Sequence, residues 1–513
     1  MAHGARRIAI NVVTGSGARI ASLAIVFLTT PMLIGALGVE AFGLFAIVAS
    51  LPAYAGLLDF GIGQGLVKHL TEYSETDDPV GVRQVMTIGL GFYALIGLVC
   101  TPLVIVFAPT AIGLLDMPYP LQRTAETSIV AMFVYFVASS VVGVFHARVV
   151  SLHRMDIAAA AGLLGQIVFG VLIFAVIPRS PTVLTAIWLT MVQVPVTGVI
   201  LYAVVRRTDR QVFCNPFTIP GGLVAKLFAF GGWMQLNSVT ALVNLEADKL
   251  IIAGFLNIGA VTPYQIGNRL ASLNRVIPFQ LLSAVMPAAT RVSMGRNHAA
   301  AEDFYCHTSR YLMLLTLAIT GFTAMTADRL IITWIGRPYP QAKLILLALS
   351  ISFAVNNLTG AGTTMVRAAG APRYETYYAV VSMVLNIVLT VALAPILGMC
   401  GILGGTIIAN VAGSTYFLVL LHRRFGVPWY RTMGVWLWRL LAATAAACAS
   451  IALLHVWEPA DLATGRLAGL GILSAYGVVY LIVLAAGLTV LGFWSPADLD
   501  VLRRIRMKVR YAG

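Results

Sequence analysis

The chain has 513 residues, of which 59% are hydrophobic and only 11% are charged. Soluble domains contain about 25% charged residues, so this composition excludes a soluble globular protein and indicates a membrane protein. The formal net charge is +14. Because the basic residues lie mostly in segments between apolar runs, this charge indicates membrane topology rather than nucleic-acid binding.

Apolar runs long enough to cross a bilayer, about 20 residues each, recur along the whole chain. The first run is too long for a signal-peptide core and lacks a convincing small-residue cleavage site, so we expect it to be a retained helix. We predict fourteen transmembrane helices, at residues 9–34, 41–66, 84–108, 127–149, 155–178, 182–205, 227–255, 260–287, 309–327, 341–366, 376–394, 400–421, 433–455 and 467–493.

The orientation in the membrane follows from where Lys and Arg lie. If the N-terminus is cytoplasmic, the cytoplasmic segments contain 22 basic residues and the opposite loops contain 6. The positive-inside rule then predicts that both termini are cytoplasmic. We expect the basic tail at residues 503–510 to lie on anionic lipid headgroups.

The sequence contains an internal repeat with an offset of 219 residues. Without a gap, Arg148 and Arg154 coincide with Arg367 and Arg373. The offset spans six predicted helices, an even number, so the two copies share one orientation and form parallel repeats. Many transporters build a central substrate path from such a duplicated module.

The repeat predicts an all-α polytopic membrane protein with two six-helix lobes and two further C-terminal helices. The N-terminal lobe takes in residues 1–215, and the C-terminal lobe takes in residues 216–428. Residues 429–513 contain the last two helices and the basic tail.

The sequence shows no pattern typical of metal or nucleotide binding. The five cysteines are scattered without a CxxC pair, and the eight histidines have no ligand spacing such as HExxH. These patterns predict neither a metal site nor a bound cofactor. The Gly61–Gly65 run follows a membrane helix and no strand, which favours close helix packing.

Two charged residues lie deep in the first two predicted helices. A charge at the centre of a span costs about 2.5–3.5 kcal/mol on insertion scales, so each needs a partner or a cavity. Arg19 and Asp59 are such residues. Two interpretations stay open: an ion pair between them, or separate roles in which Arg19 contacts a substrate and Asp59 binds a coupling proton or cation.

The seventh predicted helix is rich in polar residues. Asn237, Asn244 and Asp248 lie at i, i+7 and i+11, on one stripe. Glu246 and Lys249, three residues apart, can form a structural ion pair. Asp248 and Glu246 are candidates for coupling-ion binding. Asn244 is a candidate for substrate contact or for an interhelical hydrogen bond.

The eighth predicted helix carries the strongest candidates for anion binding. Arg269 and Arg275 have no acidic residue within a turn or two, and Gln265, Asn268 and Ser272 share their broad face. We expect Arg269, Arg275 and Asn268 to contact the substrate. The tenth helix has a similar polar stripe at Ser352, Asn356, Thr359 and Thr363. We expect this stripe either to contact a substrate or to join helices by hydrogen bonds.

Three segments carry motifs that point to a known family. Residues 38–61 contain GVEAFGL and LDFG, residues 248–264 begin with DKLIIAG, and residues 370–404 contain GAPR and GMCGILG. Together they span most of residues 30–425. In order and spacing they resemble the bacterial polysaccharide-export flippases, which belong to the multidrug, oligosaccharidyl-lipid and polysaccharide exporter superfamily.

The resemblance implies a V-shaped exporter fold with a central cavity. It also implies transport of a polyprenyl-diphosphate-linked oligosaccharide from the cytoplasmic to the periplasmic leaflet of the bacterial inner membrane, for polysaccharides such as O-antigen. Members commonly line the cavity with basic residues, which here fall on Arg19, Lys249, Arg269 and Arg275. The expected partners are the lipid-linked substrate, membrane lipids, H⁺ or Na⁺ as coupling ion, and polysaccharide polymerases or glycosyltransferases.

Two other classes of protein stay open. A cation-coupled drug or small-molecule antiporter would share the fold but would need intramembrane acids more than arginines. A membrane glycosyltransferase or polymerase usually needs a sizeable outer loop for its chemistry, whereas the longest predicted one, 109–126, has fewer than twenty residues. We therefore expect a transporter and not an enzyme.

Overall fold

The structure is a computed structural model of the chain. Every regular element in the part that it describes is helical and no strand is present there, which confirms the predicted all-α fold class. The described residues are 2–113, 119–209, 213–215, 221–294, 298–371, 373–426, 434–456, 465–494 and 498.

The chain divides into two compact units, Met1–Thr262 and Pro263–Gly513. The first unit also contains short 3-10 helices at Gly56–Asp59 and Ile258–Ala260. Its α-helices are α1 (Ala2–Leu37), α2 (Val39–Val48), α3 (Leu51–Ala55), α4 (Ile62–Glu75), α5 (Pro79–Gly113), α6 (Tyr119–Ser151), α7 (Met155–Val176), α8 (Val183–Met191), α9 (Gln193–Thr208) and α10 (Gly221–Phe255).

The second unit begins at Pro263, inside a long helix that starts two residues earlier, at Val261. The predicted division into lobes at residues 215 and 428 stays a prediction. The helices are α11 (Val261–Met294), α12 (His298–Ile335), α13 (Pro340–Asn357), α14 (Gly360–Ala368), α15 (Arg373–Phe425), α16 (Val435–Val456) and α17 (Arg466–Val490).

The chain is a multi-pass membrane protein. Among the described residues, eleven helical segments are long and apolar enough to cross a bilayer, so the predicted total of fourteen is not confirmed. Two of the predicted spans fall on α10 and α11, which are 35 and 34 residues long. Neither helix is among these eleven segments.

The remaining difference between eleven and fourteen spans comes from α15, which is one helical segment but folds back on itself. Gly398 has φ 55° and ψ −133°, a conformation that glycine adopts readily. The side-chain amide of Asn386 donates to Thr406 Oγ1 over 3.1 Å, and Gly413 packs against Ser382. The helix is therefore an antiparallel hairpin, and one long apolar segment contains two of the predicted spans.

Shifted by the 219-residue offset, the range of α1 falls on α10 and the range of α5 falls on α12. The equivalent second helices differ, however. In the first unit this segment is divided into α2, α3, a 3-10 helix and α4, whereas α11 is continuous.

Packing in the first unit follows the membrane environment. Leu66, Leu70 and Met86 form part of a buried core between α4 and α5. On the outside of α5, Leu98 and Val106 are exposed over 75% and 67% of their surfaces. Such exposure of apolar side chains is expected where lipid is the solvent.

Candidate functional site

The second predicted helix of the chain is broken at Asp59. A 3-10 helix ends there, Phe60 and Gly61 have φ values of 48° and 75°, and α4 begins directly afterwards. The Asp59 carboxylate accepts the amide N–H of Gly63, 3.2 Å from each oxygen, and the hydroxyl of Tyr93. Asp59 therefore caps the N-terminus of α4, whose first N–H groups have no helical acceptor.

Helix α10 packs directly against this break. A Cβ atom on Gly61 would overlap the backbone of Gly231, so only two glycines let these backbones approach so closely. The side-chain amide of Gln235 donates to the carbonyls of Leu57 and Gly56, at 3.0 and 3.3 Å. These contacts agree with the close-packing role predicted for the Gly61–Gly65 run.

The possible ion pair between Arg19 and Asp59 does not form. Arg19 is exposed on α1, and within the described structure it has no hydrogen bond or ion pair. The Asp59 carboxylate is satisfied by Gly63 and Tyr93 instead. The physical reason is local: a carboxylate placed at a helix start finds backbone N–H donors within one turn and needs no second charge.

A second group of polar side chains lies further along α10. Lys249 and Glu246 form the expected ion pair, with Nζ and Oε2 2.5 Å apart, and Tyr54 donates its hydroxyl to the Glu246 carbonyl over 2.5 Å. Asp248 and Lys249 are only 4% and 5% exposed. Two carboxylates and one ammonium give this cluster a formal charge of −1. Asn244 is half-buried on the same helix.

The side chain of Asn237, which sequence analysis placed on the same stripe of α10, lies outside the described residues. The stripe is therefore described only at Asn244 and Asp248. Because Glu246 already holds the Lys249 ammonium, the positive charge of Lys249 is neutralised within α10. This pairing makes Lys249 a weaker candidate for anion binding than the arginines of α11.

Helix α11 carries two half-buried arginines, Arg269 and Arg275. The Arg275 guanidinium lies over the ring of Phe353, 5.8 Å from its centroid, in a cation–π contact. It forms no ion pair in the described part of the chain. Asn268 is half-buried next to Arg269, and the Ser272 hydroxyl donates to the Arg269 carbonyl over 2.7 Å. The polar face predicted for this helix is present.

The sequence profile of the polysaccharide biosynthesis protein family matches residues 9–293, more than half of the chain. The chain belongs to this family. The match runs from α1 through α11, so it includes the break at Asp59, the polar cluster of α10 and both arginines of α11. No curated protein matches the chain in sequence.

Solved structures show that this family member shares its fold with a lipid II flippase and with multidrug transporters. The lipid II flippase MurJ, in an inward closed conformation, aligns with a TM-score of 0.70 at 14% identity, over 94% of this chain and 99% of MurJ. An inward-facing multidrug resistance MATE transporter aligns with a TM-score of 0.63 at 15% identity, over 79% and 94%.

A third similar structure is a transporter of the MOP superfamily from Pyrococcus furiosus. It aligns with a TM-score of 0.52 at 17% identity, over 79% of this chain and 96% of the other. The fold that the resemblance implies is therefore confirmed. Flippases and transporters share this fold.

Sequence analysis missed a buried amide network in the second unit of this family member. Asn274 donates to Ser350 over 2.7 Å and accepts from Thr323 over 3.1 Å. Asn357 donates to the Asn274 carbonyl over 2.9 Å and to Thr316 over 3.2 Å. The network joins α11, α12 and α13. Its partners lie 41 to 83 residues apart, so no local pattern could reveal it.

Tyr93 and Gln235 were missed for the same reason. Tyr93 lies 34 residues after Asp59, and Gln235 lies 178 residues after Leu57. The available sequence signal was a polar residue within an apolar span. Such a residue does not reveal which side chain it will contact. For Ser352 the structure favours one of the two interpretations, because Asn410 donates to its hydroxyl over 2.7 Å and joins two helices.

The described residues contain no group of three or more His, Cys, Asp or Glu side chains that could hold a metal ion. The expectation of no cofactor stays a prediction. What the arrangement offers is of a different kind: half-buried arginines on α11, a polar cluster with two carboxylates on α10, and a break in the membrane segment that follows α1 in the chain.

Proposed function

We propose that the protein is a flippase that moves a polyprenyl-diphosphate-linked oligosaccharide from the cytoplasmic to the periplasmic leaflet of the bacterial inner membrane. In this proposal both termini are cytoplasmic and transport proceeds by alternating access. Membership of the polysaccharide biosynthesis family supports a glycan as the cargo. The fold shared with a lipid II flippase supports a lipid-linked one.

The observation that carries this proposal is the environment of Arg275. Arginine stays charged when buried, and Arg148 and Arg310 pair with Asp209 and Asp498. Arg275 instead contacts the ring of Phe353 and no carboxylate among the described residues. Its charge is therefore available to an anionic ligand, and a diphosphate can accept two hydrogen bonds from one guanidinium.

The test is transport by full-length variants reconstituted in vesicles with a lipid-linked oligosaccharide. Arg275→Ala and Arg269→Ala should each lower the flipping rate at least about tenfold, since a charge-assisted hydrogen bond contributes about 1.5–3 kcal/mol. Arg275→Lys should retain an intermediate rate, because it keeps the charge but loses the bidentate geometry. Arg179→Ala, at an exposed arginine, is the matched control. Normal flipping by both alanine variants would refute the substrate assignment.

Arg19 is a further proposed contact for the diphosphate. It lies exposed on an apolar helix, where a bare charge is costly unless an anion or a headgroup meets it. Arg19→Ala should lower flipping by a smaller factor than Arg275→Ala, because the exposed guanidinium is solvated in part. We propose Asn244 and Asn268 as neutral contacts for the sugar hydroxyls.

The coupling ion is proposed to bind at the acidic cluster of α10. Of the three predicted acids we assign this role to Glu246 and Asp248, because the Asp59 carboxylate already caps α4. The two carboxylates of the cluster can bind H⁺ or Na⁺. In vesicles with an imposed ion gradient, Asp248→Asn should abolish gradient-driven transport while Asp59→Asn retains it. Retention of coupling by Asp248→Asn and Glu246→Gln would contradict this assignment.

The same acidic cluster favours a second candidate, a cation-coupled antiporter for drugs or small molecules. A buried net negative charge suits a cationic cargo as well as a coupling ion. The two functions separate in one experiment. An antiporter would release protons or Na⁺ from vesicles when a cationic drug is added, whereas a flippase would respond only to the lipid-linked oligosaccharide.

A further inference from the structure

The second repeat carries a group of tyrosines that the first repeat lacks. Residues 373–378 read Arg-Tyr-Glu-Thr-Tyr-Tyr, whereas the equivalent residues 154–159 read Arg-Met-Asp-Ile-Ala-Ala. Both copies therefore have an arginine and an acidic residue at the same two positions. Because the first copy forms its helix with methionine and alanine, the helix itself does not require tyrosine there. The three tyrosines need a reason that is specific to the second repeat.

Packing explains one of them, Tyr378. Its ring lies against that of Phe417, with 5.0 Å between the centroids. Its hydroxyl is hydrogen-bonded to the side chains of Thr359 and Asn356. The same hydroxyl lies within electrostatic range of the Arg275 guanidinium. Tyr378 therefore joins the start of α15 to the surroundings of the arginine on α11.

The other two tyrosines form a partly exposed pair. The rings of Tyr374 and Tyr377 meet edge to face, with 6.4 Å between the centroids and 89° between the planes, and Tyr377 is 50% exposed. The Arg373 guanidinium lies 5.3 Å from the centroid of the Tyr374 ring, in a cation–π contact. With Tyr378, these residues occupy an arc of about 140° on α15, at 100° per residue. The arc runs from an exposed arginine to a buried tyrosine.

This end of α15 lies in a wet environment. The Arg367 guanidinium holds both carboxylate oxygens of Glu375, and the two side chains are 53% and 22% exposed. Exposed charges of this kind avoid hydrocarbon, and the positive-inside rule places the segment on the cytoplasmic side. The tyrosine pair therefore lies where water or lipid headgroups can reach it.

We propose that Tyr374 and Tyr377, with Arg373 beside them, bind the glycan of the lipid-linked cargo at the cytoplasmic side. The identity of the cargo rests on the proposed function. The C–H face of a sugar ring is apolar and packs on an aromatic ring, whereas its hydroxyls can accept hydrogen bonds from a guanidinium. A glycan on these rings would lie within one helical turn of Tyr378, the neighbour of the arginine proposed to bind the diphosphate.

The alternative is that the tyrosines only anchor the helix at the membrane interface, where Tyr is generally enriched. The repeat argues against this alternative, because the equivalent segment of the first copy lies on the same side of the membrane. Met155, the equivalent of Tyr374, is 48% exposed. An exposed position at this depth is therefore not aromatic by necessity.

The test measures glycan binding by the full-length protein in lipid nanodiscs, which contain no sugar detergent. The probe is the oligosaccharide mixture that mild acid releases from the lipid extract of the producing bacterium, so it carries neither phosphate nor a polyprenyl chain. Saturation-transfer NMR should show contact between the wild-type chain and the sugar protons. Tyr374→Leu with Tyr377→Leu should weaken binding at least about tenfold, as expected when aromatic anchors are truncated.

Two control variants separate the ring faces from other effects. Tyr374→Phe with Tyr377→Phe keeps both faces and should bind within about twofold of the wild-type affinity. Tyr202→Leu should bind normally, because Tyr202 is 43% exposed and pairs edge to face with Phe145 in the first unit. Thermal unfolding checks that each variant folds.

A transport assay on the same variants distinguishes this proposal from the proposed function. Arg275→Ala should lose flipping but bind the phosphate-free glycan normally. Undiminished binding by the leucine double variant would overturn the proposal and leave the tyrosines as interfacial anchors. Flipping by a wild-type chain that binds no free glycan would overturn this proposal alone. Glycan binding without flipping would instead count against the transport function.

Discussion

The two equivalent second helices, residues 39–75 in the first repeat and α11 in the second, differ in continuity. The first is broken at Phe60 and Gly61, where Asp59 caps α4 and Gly231 of α10 meets the turn. The second runs through 34 residues without an interruption. The two copies of this segment have therefore diverged into an internally hydrogen-bonded turn and a continuous helix that carries arginines.

The repeat-related arginines Arg148 and Arg367 teach the same lesson. Arg148 is 5% exposed, and its guanidinium holds Asp209 through two hydrogen bonds of 2.7 and 2.8 Å. Arg367 makes a similar two-point pair with Glu375, but its side chain is 53% exposed. The two repeats therefore have an arginine at the same position, but its acidic partner and its burial differ.

The largest predicted effect sharpens this comparison. Arg148→Ala should lower the free energy of unfolding by about 3 kcal/mol, because it leaves the Asp209 carboxylate, whose side chain is only 17% exposed, without its partner. Arg367→Ala should cost only about 0–1 kcal/mol, since exposed pairs contribute little. Thermal or denaturant unfolding of both full-length variants in one detergent measures the difference. Equal losses of stability would show that burial does not distinguish the two pairs.

The second prediction breaks the turn that distinguishes the first repeat. Gly61→Ala should lower stability by about 2–4 kcal/mol, because the new Cβ would overlap the Gly231 backbone and φ is positive. Gly56→Ala is the control, at a helical φ of −58° with no atom near the added methyl group. It should be neutral or slightly stabilising. A fall in melting temperature of similar size for both would contradict the assigned role of the close approach.

The smallest predicted effect concerns the Asp59 cap. Asp59→Asn keeps a side-chain oxygen that can accept the Gly63 N–H, so it should change the unfolding free energy by less than about 1 kcal/mol. Asp59→Ala removes the acceptor and should cost about 1–2 kcal/mol. Both stabilities come from the same melting assay. If Asp59→Asn were as damaging as Asp59→Ala, the negative charge and not the cap would be what stabilises the turn.

Several properties of this protein were determined by the sequence alone. Composition and the recurrence of apolar runs are sums over many residues, so they indicated an all-helical membrane protein whatever the packing. The 219-residue offset and the motifs at residues 38–61, 248–264 and 370–404 identified the family that the profile match shows. The Glu246–Lys249 pair was predictable because its partners are three residues apart on one helix.

Only the tertiary structure decided which polar residues meet across helices. Asp59 could have paired with Arg19 by depth, yet it binds Tyr93 and the start of its own next helix. The sequence predicted separate spans on either side of Gly398, but only the structure shows that Asn386 and Thr406 join them. The physical reason is that helical periodicity defines faces and not neighbours. Hydrogen bonds between helices depend on which faces pack together, and that is a property of the whole fold.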